Sequence, residues 1–250
     1  VETGKSNTVS GLLAGYTYTF NEGVGSTGTE SNGFQILKNN NVTLKNGTLK
    51  VADEAAEKFY ILVQNYANLT VEKMTLDGTN LDKWSTTDGD SYTLSNNSGA
   101  VQIVDTVIKA NHIGELAFAF DSCSKAVYTT PVVTVSGETK IYGDIEVTGG
   151  ELKLEAADIE GALVFQSGSV TKADAVELDA PAGYKWVEGV LTKIIYVAEV
   201  NGKGYETLAE AVDAAEAGAT VKLLKNASDK IVTVLEETTF DLDGYTLTAE

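Results

Sequence analysis

The sequence predicts an all-β protein whose short strands wind into a solenoid, with one short helix in a C-terminal segment. Three observations carry this. Short runs of Val, Ile, Leu, Thr and Tyr are broken by Asn, Gly or Asp. The runs recur at intervals of roughly 20–35 residues, the period of stacked repeats. Helix signals are nearly absent before residue 200.

The clearest repeat begins with Phe34-Gln35-Ile36-Leu37, turns at Asn39-Asn40-Asn41, and continues as Val42-Thr43-Leu44. A turn at Asn46-Gly47 leads to Thr48-Leu49-Lys50-Val51. The same order returns as Phe59-Tyr60-Ile61-Leu62-Val63, a corner at Gln64-Asn65, Leu69-Thr70-Val71, Met74-Thr75-Leu76 and Asp77-Gly78. Val42 to Leu69 is 69 − 42 = 27 residues. Ala100-Val101-Gln102-Ile103-Val104 with Val107-Ile108 is echoed by Val132-Val133-Thr134-Val135 with Lys140-Ile141-Tyr142. Val101 to Val133 is 133 − 101 = 32 residues. A rung of this kind cannot bury its inner face alone, so rungs stack as parallel strands around an apolar interior. In Val42-Thr43-Leu44 and Leu69-Thr70-Val71 the outer pair points inward and threonine outward. Corner asparagines supply left-handed backbone. Together these define a right-handed parallel β-helix over about residues 8–180. The competing architecture is an antiparallel β-sandwich, because Asn-Gly and Asp-Gly also mark hairpins.

Strand pattern continues through Ile145-Glu146-Val147, Leu152-Lys153-Leu154 and Ala162-Leu163-Val164-Phe165. A Pro- and Gly-containing break at Ala180-Pro181-Ala182-Gly183 places a domain boundary near 181–195, giving segments 1–190 and 191–250. Past it a helix is predicted over 207–217. Thr207 and Glu210 form a capping box. Leu208, Ala211, Val212 and Ala215 share one face, and Gly218 stops the helix. Laid over the open end of a solenoid, such a helix would cover apolar rung surface. Strands at 220–224 and 231–235 follow, then an Asp243-Gly244 turn. Gly244-Tyr245-Thr246-Leu247-Thr248 repeats the phrase Gly15-Tyr16-Thr17-Tyr18-Thr19-Phe20.

Asn201-Gly202-Lys203-Gly204-Tyr205, the helix, Val221-Lys222-Leu223-Leu224-Lys225 and the stretch 240–248 together resemble the entry segment of right-handed parallel β-helix (pectate-lyase-like) modules. Such modules occur in large surface proteins of Gram-positive gut and anaerobic bacteria. Residues 1–190 resemble the rungs of such a module, and Gly183-Tyr184-Lys185-Trp186-Val187 its exit linker. The resemblance implies the fold and an extracellular, cell-surface setting; it implies no activity.

Composition narrows the chemistry. Net charge is −18, with 36 acidic residues against 18 basic ones, all of them lysine. Such a chain repels nucleic acid and anionic membrane. No apolar run is long enough to cross a membrane by a helix. One cysteine, Cys123, precludes an intrachain disulfide; with no histidine nearby in sequence, it reads as a small buried residue. Lyases of the resembled fold use an arginine base beside calcium-binding aspartates, and this chain has no arginine. Hydrolases of that fold use clustered aspartates with Gly-His-Gly; His112, in Asn111-His112-Ile113-Gly114, does not match and reads as a corner residue. No catalytic residue is therefore assigned, and a non-enzymatic structural protein is expected.

The alternative is a glycan-binding adhesin or polysaccharide-active enzyme using the loop 77–92. There Asp88 and Asp90, with Asp82, offer oxygens for calcium, against the simpler reading of Asp-Gly-Asp as a turn. Trp84 and Tyr92 offer rings for a sugar, against the simpler reading of rings covering apolar surface. Asn41-Val42-Thr43, Asn46-Gly47-Thr48 and Asn68-Leu69-Thr70 fit the N-glycosylation pattern but read as corners.

The tail carries opening rungs with none after them, and the head carries rungs without the helical entry. Two open strand faces of this kind are complementary, and joining them head to tail propagates into a filament or array. The expected contact residues are Tyr16, Tyr18 and Phe20 at the head, and Leu208, Val212, Phe240, Leu242, Tyr245 and Leu247 at the tail. Truncation of a longer tandem protein is the competing reading of the same ends.

Overall fold

The computed structural model describes residues 6–9, 15–22, 32–56, 58–82, 91–114, 117–123, 129–229 and 237–249. It is nearly all β, with long parallel sheets and, among the described residues, one short helix. The chain divides into two compact units, Val1–Leu191 and Thr192–Glu250.

In the first unit the chain alternates between two sheets. β1 (Ser6–Val9) and β2 (Thr17–Phe20) lie in the first sheet, β3 (Asn32–Ile36) in the second, and β4 (Asn41–Val51) in the first. β5 (Ile61–Asn65) returns to the second sheet and β6 (Asn68–Asp77) to the first. β7 (Ser91–Asn96) is followed by β8 (Ala100–Val104) and β9 (Val107–Lys109), which share the first sheet. β10 (Ala117–Ser122), β11 (Val132–Ser136) with β12 (Lys140–Tyr142), and β13 (Asp144–Val147) keep the alternation. So do β14 (Glu151–Leu154) with β15 (Asp158–Glu160), β16 (Leu163–Phe165) and β17 (Ser169–Lys172). From β3 to β14 each strand pairs in parallel with its counterpart one circuit later. A sandwich of antiparallel sheets is thereby overturned for this unit.

Register explains the alternation. Val42, Leu69, Val101, Val133, Leu152 and Val170 form one continuous row, each within 2% of full burial. Thr43 and Thr70, one position on, are half-buried. Each fully buried side chain of this size stabilises by roughly 1.5–3 kcal/mol, so the row holds six circuits together. Circuit length varies along the chain and is shortest toward its end. Asn41 and Asn68 are 27 residues apart, Asn68 and Ala100 are 32, and Asp144 and Ala162 are 18.

The corners hold the left-handed residues. Asn46 (φ 59), Lys73 (φ 52) and Asp105 (φ 49) occupy equivalent places in successive circuits. The expected turn at Asn46-Gly47 is instead a bend within β4, which stays paired with β6 on both sides of it. Gln64 and Asn65, expected at a corner, are the last residues of β5 and are buried. The amide of Asn65 donates to Ala67 O at 3.0 Å and Ser98 O at 3.4 Å, while its Oδ1 accepts the Ala67 N–H at 3.0 Å. It therefore fastens its own turn to the next circuit. Asn65→Ala is expected to cost about 1–3 kcal/mol, because buried backbone groups lose their partner. The urea midpoint should fall with an unchanged m-value; no shift would remove the corner role.

The parallel stack ends in a hairpin. β18 (Tyr184–Val187) pairs with β19 (Val190–Lys193), and β19 meets β17 antiparallel at Thr171–Val190. Residues 183–187, likened to an exit linker, are thus largely a strand of this closing hairpin. Trp186 is fixed there by its Nε1–H donating to Leu178 O at 2.8 Å and by the Lys172 ammonium 5.5 Å from its ring centroid.

The second unit starts with antiparallel β20 (Ala198–Val200) and β21 (Lys203–Tyr205), then α1 (Leu208–Asp213). The capping box forms as expected: the Glu210 N–H donates to Thr207 Oγ1, and the Thr207 N–H to Glu210 Oε2. The helix is shorter than 207–217. It ends at Ala214, and the chain turns through Gly218 into β22 (Thr220–Leu223). Leu208, Ala211 and Val212 pack with Ala198, Val221 and Leu223 of this unit's own sheet. β23 (Ala227–Asp229), β24 (Thr239–Asp241) and β25 (Leu247–Ala249) then add parallel pairs, β22 with β24 and β23 with β25. The expected strand at 231–235 lies outside the described residues.

Candidate functional site

Two strand edges stand out, one in each unit. β1 and β2 pair with β4 on one side only among the described residues. β2 exposes Tyr18, and Tyr16 just before it is 70% exposed. Phe20 is buried in the core, with its ring centroid 4.7 Å from that of Tyr18. In the second unit β24 and β25 likewise pair on one side only among the described residues. Leu242, Tyr245 and Leu247 are exposed there, and Phe240 is half-buried against the small core.

Local chemistry shapes the second edge. Asp243 (φ 44) and Gly244 (φ 83) make the turn read from Asp-Gly, closed by the Tyr245 N–H donating to Leu242 O at 2.7 Å. Lys222 Nζ lies 3.2 Å from Asp243 Oδ2, and this hydrogen bond holds the lysine pKa above its ordinary value. A raised lysine pKa is stabilising below the unfolded value and is lost as pH rises through the folded one. The tether is therefore intact at neutral pH. Of the expected contact residues, Leu208 and Val212 are committed to their own core, as is Phe20. Tyr16, Tyr18, Leu242, Tyr245 and Leu247 remain on the surface.

Tyr92 lies in a polar patch of the second sheet. Its hydroxyl donates to Glu146 Oε2 at 3.0 Å, and its ring stacks on Phe118 at 5.1 Å between centroids. Glu146 and Asp121 are register partners on β13 and β10. Asp121 is 4% exposed; its Oδ2 accepts from Ser95 Oγ at 3.3 Å and its Oδ1 from the Asn96 N–H. In the earlier circuits Gln64 Oε1 accepts from Gln35 at 2.7 Å and from Asn32 at 3.0 Å. Both Asp121 oxygens thus serve hydrogen bonds between neighbouring strands, the work of a structural acceptor. Sequence reasoning missed Asp121 and Glu146: Tyr92 and Glu146 are 54 residues apart, and only the circuit register joins them.

Trp84, Asp88 and Asp90 lie outside the described residues. Asp82 Oδ2 accepts the Phe59 N–H at 3.0 Å, holding the start of that loop. Among the described residues no three His, Cys, Asp or Glu side chains are grouped to hold a metal ion. His112 sits in a bend with its Nδ1 3.1 Å from Asn111 Oδ1. Cys123, expected to be buried, is half-buried. Asn41 and Asn68 form a corner ladder, with Asn68 Nδ2 donating to Asn41 Oδ1 at 2.8 Å.

Compared with known proteins, the chain matches no protein-family model, no curated protein and no solved structure.

Proposed function

We propose that residues 1–191 form a parallel β-helix and that the protein is a structural, non-enzymatic component of a cell surface, assembling head to tail through its strand edges. The observation that carries this is the pair of parallel edges, β1–β2 and β24–β25, paired on one side only among the described residues, with exposed Tyr16, Tyr18, Leu242, Tyr245 and Leu247 beside them. The two-sheet alternation with parallel register supports the solenoid, and right-handed winding follows from the near-universal hand of parallel crossovers. An unpaired edge with apolar side chains is a template for another chain. Pairing the tail edge of one copy with the head edge of the next uses different surfaces, so growth is open-ended. The extracellular setting rests on the resemblance of 201–248 to module entry segments. Mixing fluorescently labelled copies and recording assembly by light scattering and electron microscopy tests this. Concentration-dependent fibres or sheets support it; a monomer at every concentration contradicts it.

A second reading, a glycan-handling surface, draws on Tyr92 and Glu146, both half-buried and joined at 3.0 Å. Incubation with neutral and acidic polysaccharides should release no product. Release that disappears in Glu146→Gln would replace the structural reading with an enzyme.

A further inference from the structure

We propose that the asparagine-lined groove on the first unit is a binding site for a neutral oligosaccharide. The groove has a volume of about 390 Å³, within the usual range for ligand sites. It runs across equivalent corners of three successive circuits. The corner before β4 contributes Lys38, Asn39, Asn40 and Asn41. The corner before β6 contributes Tyr66 and Asn68. The corner before β8 contributes Ser98 and Gly99, with Thr129 beside them.

The lining narrows the ligand class. It contains no carboxylate although the chain carries −18, so it is unsuited to a divalent cation or a basic peptide. The acidic chain as a whole opposes nucleic acid. A wall made mainly of amides and hydroxyls is poor for an apolar ligand. Amides and hydroxyls each offer donors and acceptors, as do the hydroxyls of a sugar. Half-buried Tyr66 adds a ring with an apolar face.

The asparagines are not all consumed by the fold. Asn68 donates one amide hydrogen to Asn41 and accepts the Ala100 N–H at 2.9 Å, which leaves its second amide hydrogen. Asn40 is 2% exposed; its amide nitrogen is fixed by Leu37 O at 2.8 Å and Lys38 O at 3.3 Å, while its Oδ1 has no partner. Asn40 thus anchors the wall, and its buried Oδ1 is a polar atom without a protein partner next to the groove. Asn39 is exposed in left-handed backbone at φ 63, a conformation that glycine would meet equally well. The geometry is held firmly at the next corner but one. Gly99 has φ 85, and a Cβ there would lie 2.9 Å from the Asn68 nitrogen.

The groove shares no lining residue with the Tyr92 patch, and although Asn41 borders β1 through its pairing with Ser6, the binding test does not depend on the assembly reading. The test titrates the full chain with cellohexaose and chitohexaose, using backbone amide NMR shifts to locate contact. Wild type should bind one probe saturably, with shifts at 38–41, 66–68 and 98–99. Asn39→Gly preserves the backbone and should weaken binding ~10-fold, the scale of one well-placed hydrogen bond, with an unchanged urea midpoint. Absence of saturable binding by either probe overturns the proposal, as does equal affinity in Asn39→Gly. Binding that survives Asn39→Gly but is lost in Tyr92→Phe also overturns it, by moving the sugar to the second sheet.

Discussion

Ile103→Asp is expected to abolish cooperative folding of residues 1–191 while leaving the helix-containing unit folded. Ile103 is fully buried in a row with Val71 and Val135, between circuits that pair on both sides of β8. A carboxylate there has no cation and no water, and burying it costs far more than any single contact returns. The graded variants separate charge from volume. Ile103→Val should cost about 0.5–1.5 kcal/mol and Ile103→Ala about 2–5 kcal/mol, the second including the cavity left behind. In a stack where each circuit touches only its neighbours, the loss is felt first by the adjoining circuits. Both tryptophans, Trp84 and Trp186, belong to the first unit, so their emission reports that unit alone. Urea titration followed by emission and by far-ultraviolet circular dichroism should show the first transition lost in Ile103→Asp and shifted in Ile103→Ala. An Ile103→Asp chain with wild-type emission would mean that the row is not the core.

Leu247→Asp and Tyr245→Asp are expected to stop self-association without unfolding the chain. Both residues are exposed, at 37% and 41%, so the isolated subunit should lose no more than about 0.5 kcal/mol. In the proposed assembly the same positions would lie at the joined edge, where a carboxylate must be desolvated. A loss of about 2.7 kcal/mol per contact raises the concentration needed for assembly roughly 100-fold. Leu208→Asp is a contrasting control. Leu208 is buried in its own unit, so its substitution should unfold the small core rather than merely block growth.

Much of the fold was legible because the inward rows are strict. Val42-Thr43-Leu44 and Leu69-Thr70-Val71 state their faces, and their 27-residue offset is the observed register. The Thr207–Glu210 box and the Asp243-Gly244 turn are local chemistry, and each is found where the residues place it. The second sheet was harder. Gln64, Asn65, Ser95 and Asn96 look like turn residues, yet they are buried strand positions whose polar groups are satisfied by neighbouring circuits. The closing hairpin was hidden for the opposite reason. Tyr184, Lys185 and Trp186 are half-buried without a clear alternation, and flanking Gly183 and Gly189 read as breaks. At the candidate surfaces, single residues such as Tyr92, Tyr245 and Leu247 were visible. Glu146, Asp121 and the three-corner groove were not, because each depends on residues brought together by parallel strand register rather than by sequence.

Sedimentation velocity over a wide concentration range, on the full chain, on Leu247→Asp and on a chain ending at Ile195, tests head-to-tail assembly most directly. The full chain should sediment as a growing series of species, with fibres or arrays in electron micrographs of the same samples. Both altered chains should remain at the monomer coefficient. A full chain that stays monomeric at the highest concentration, or a Leu247→Asp chain that assembles like the full one, would contradict pairing through the β24–β25 edge.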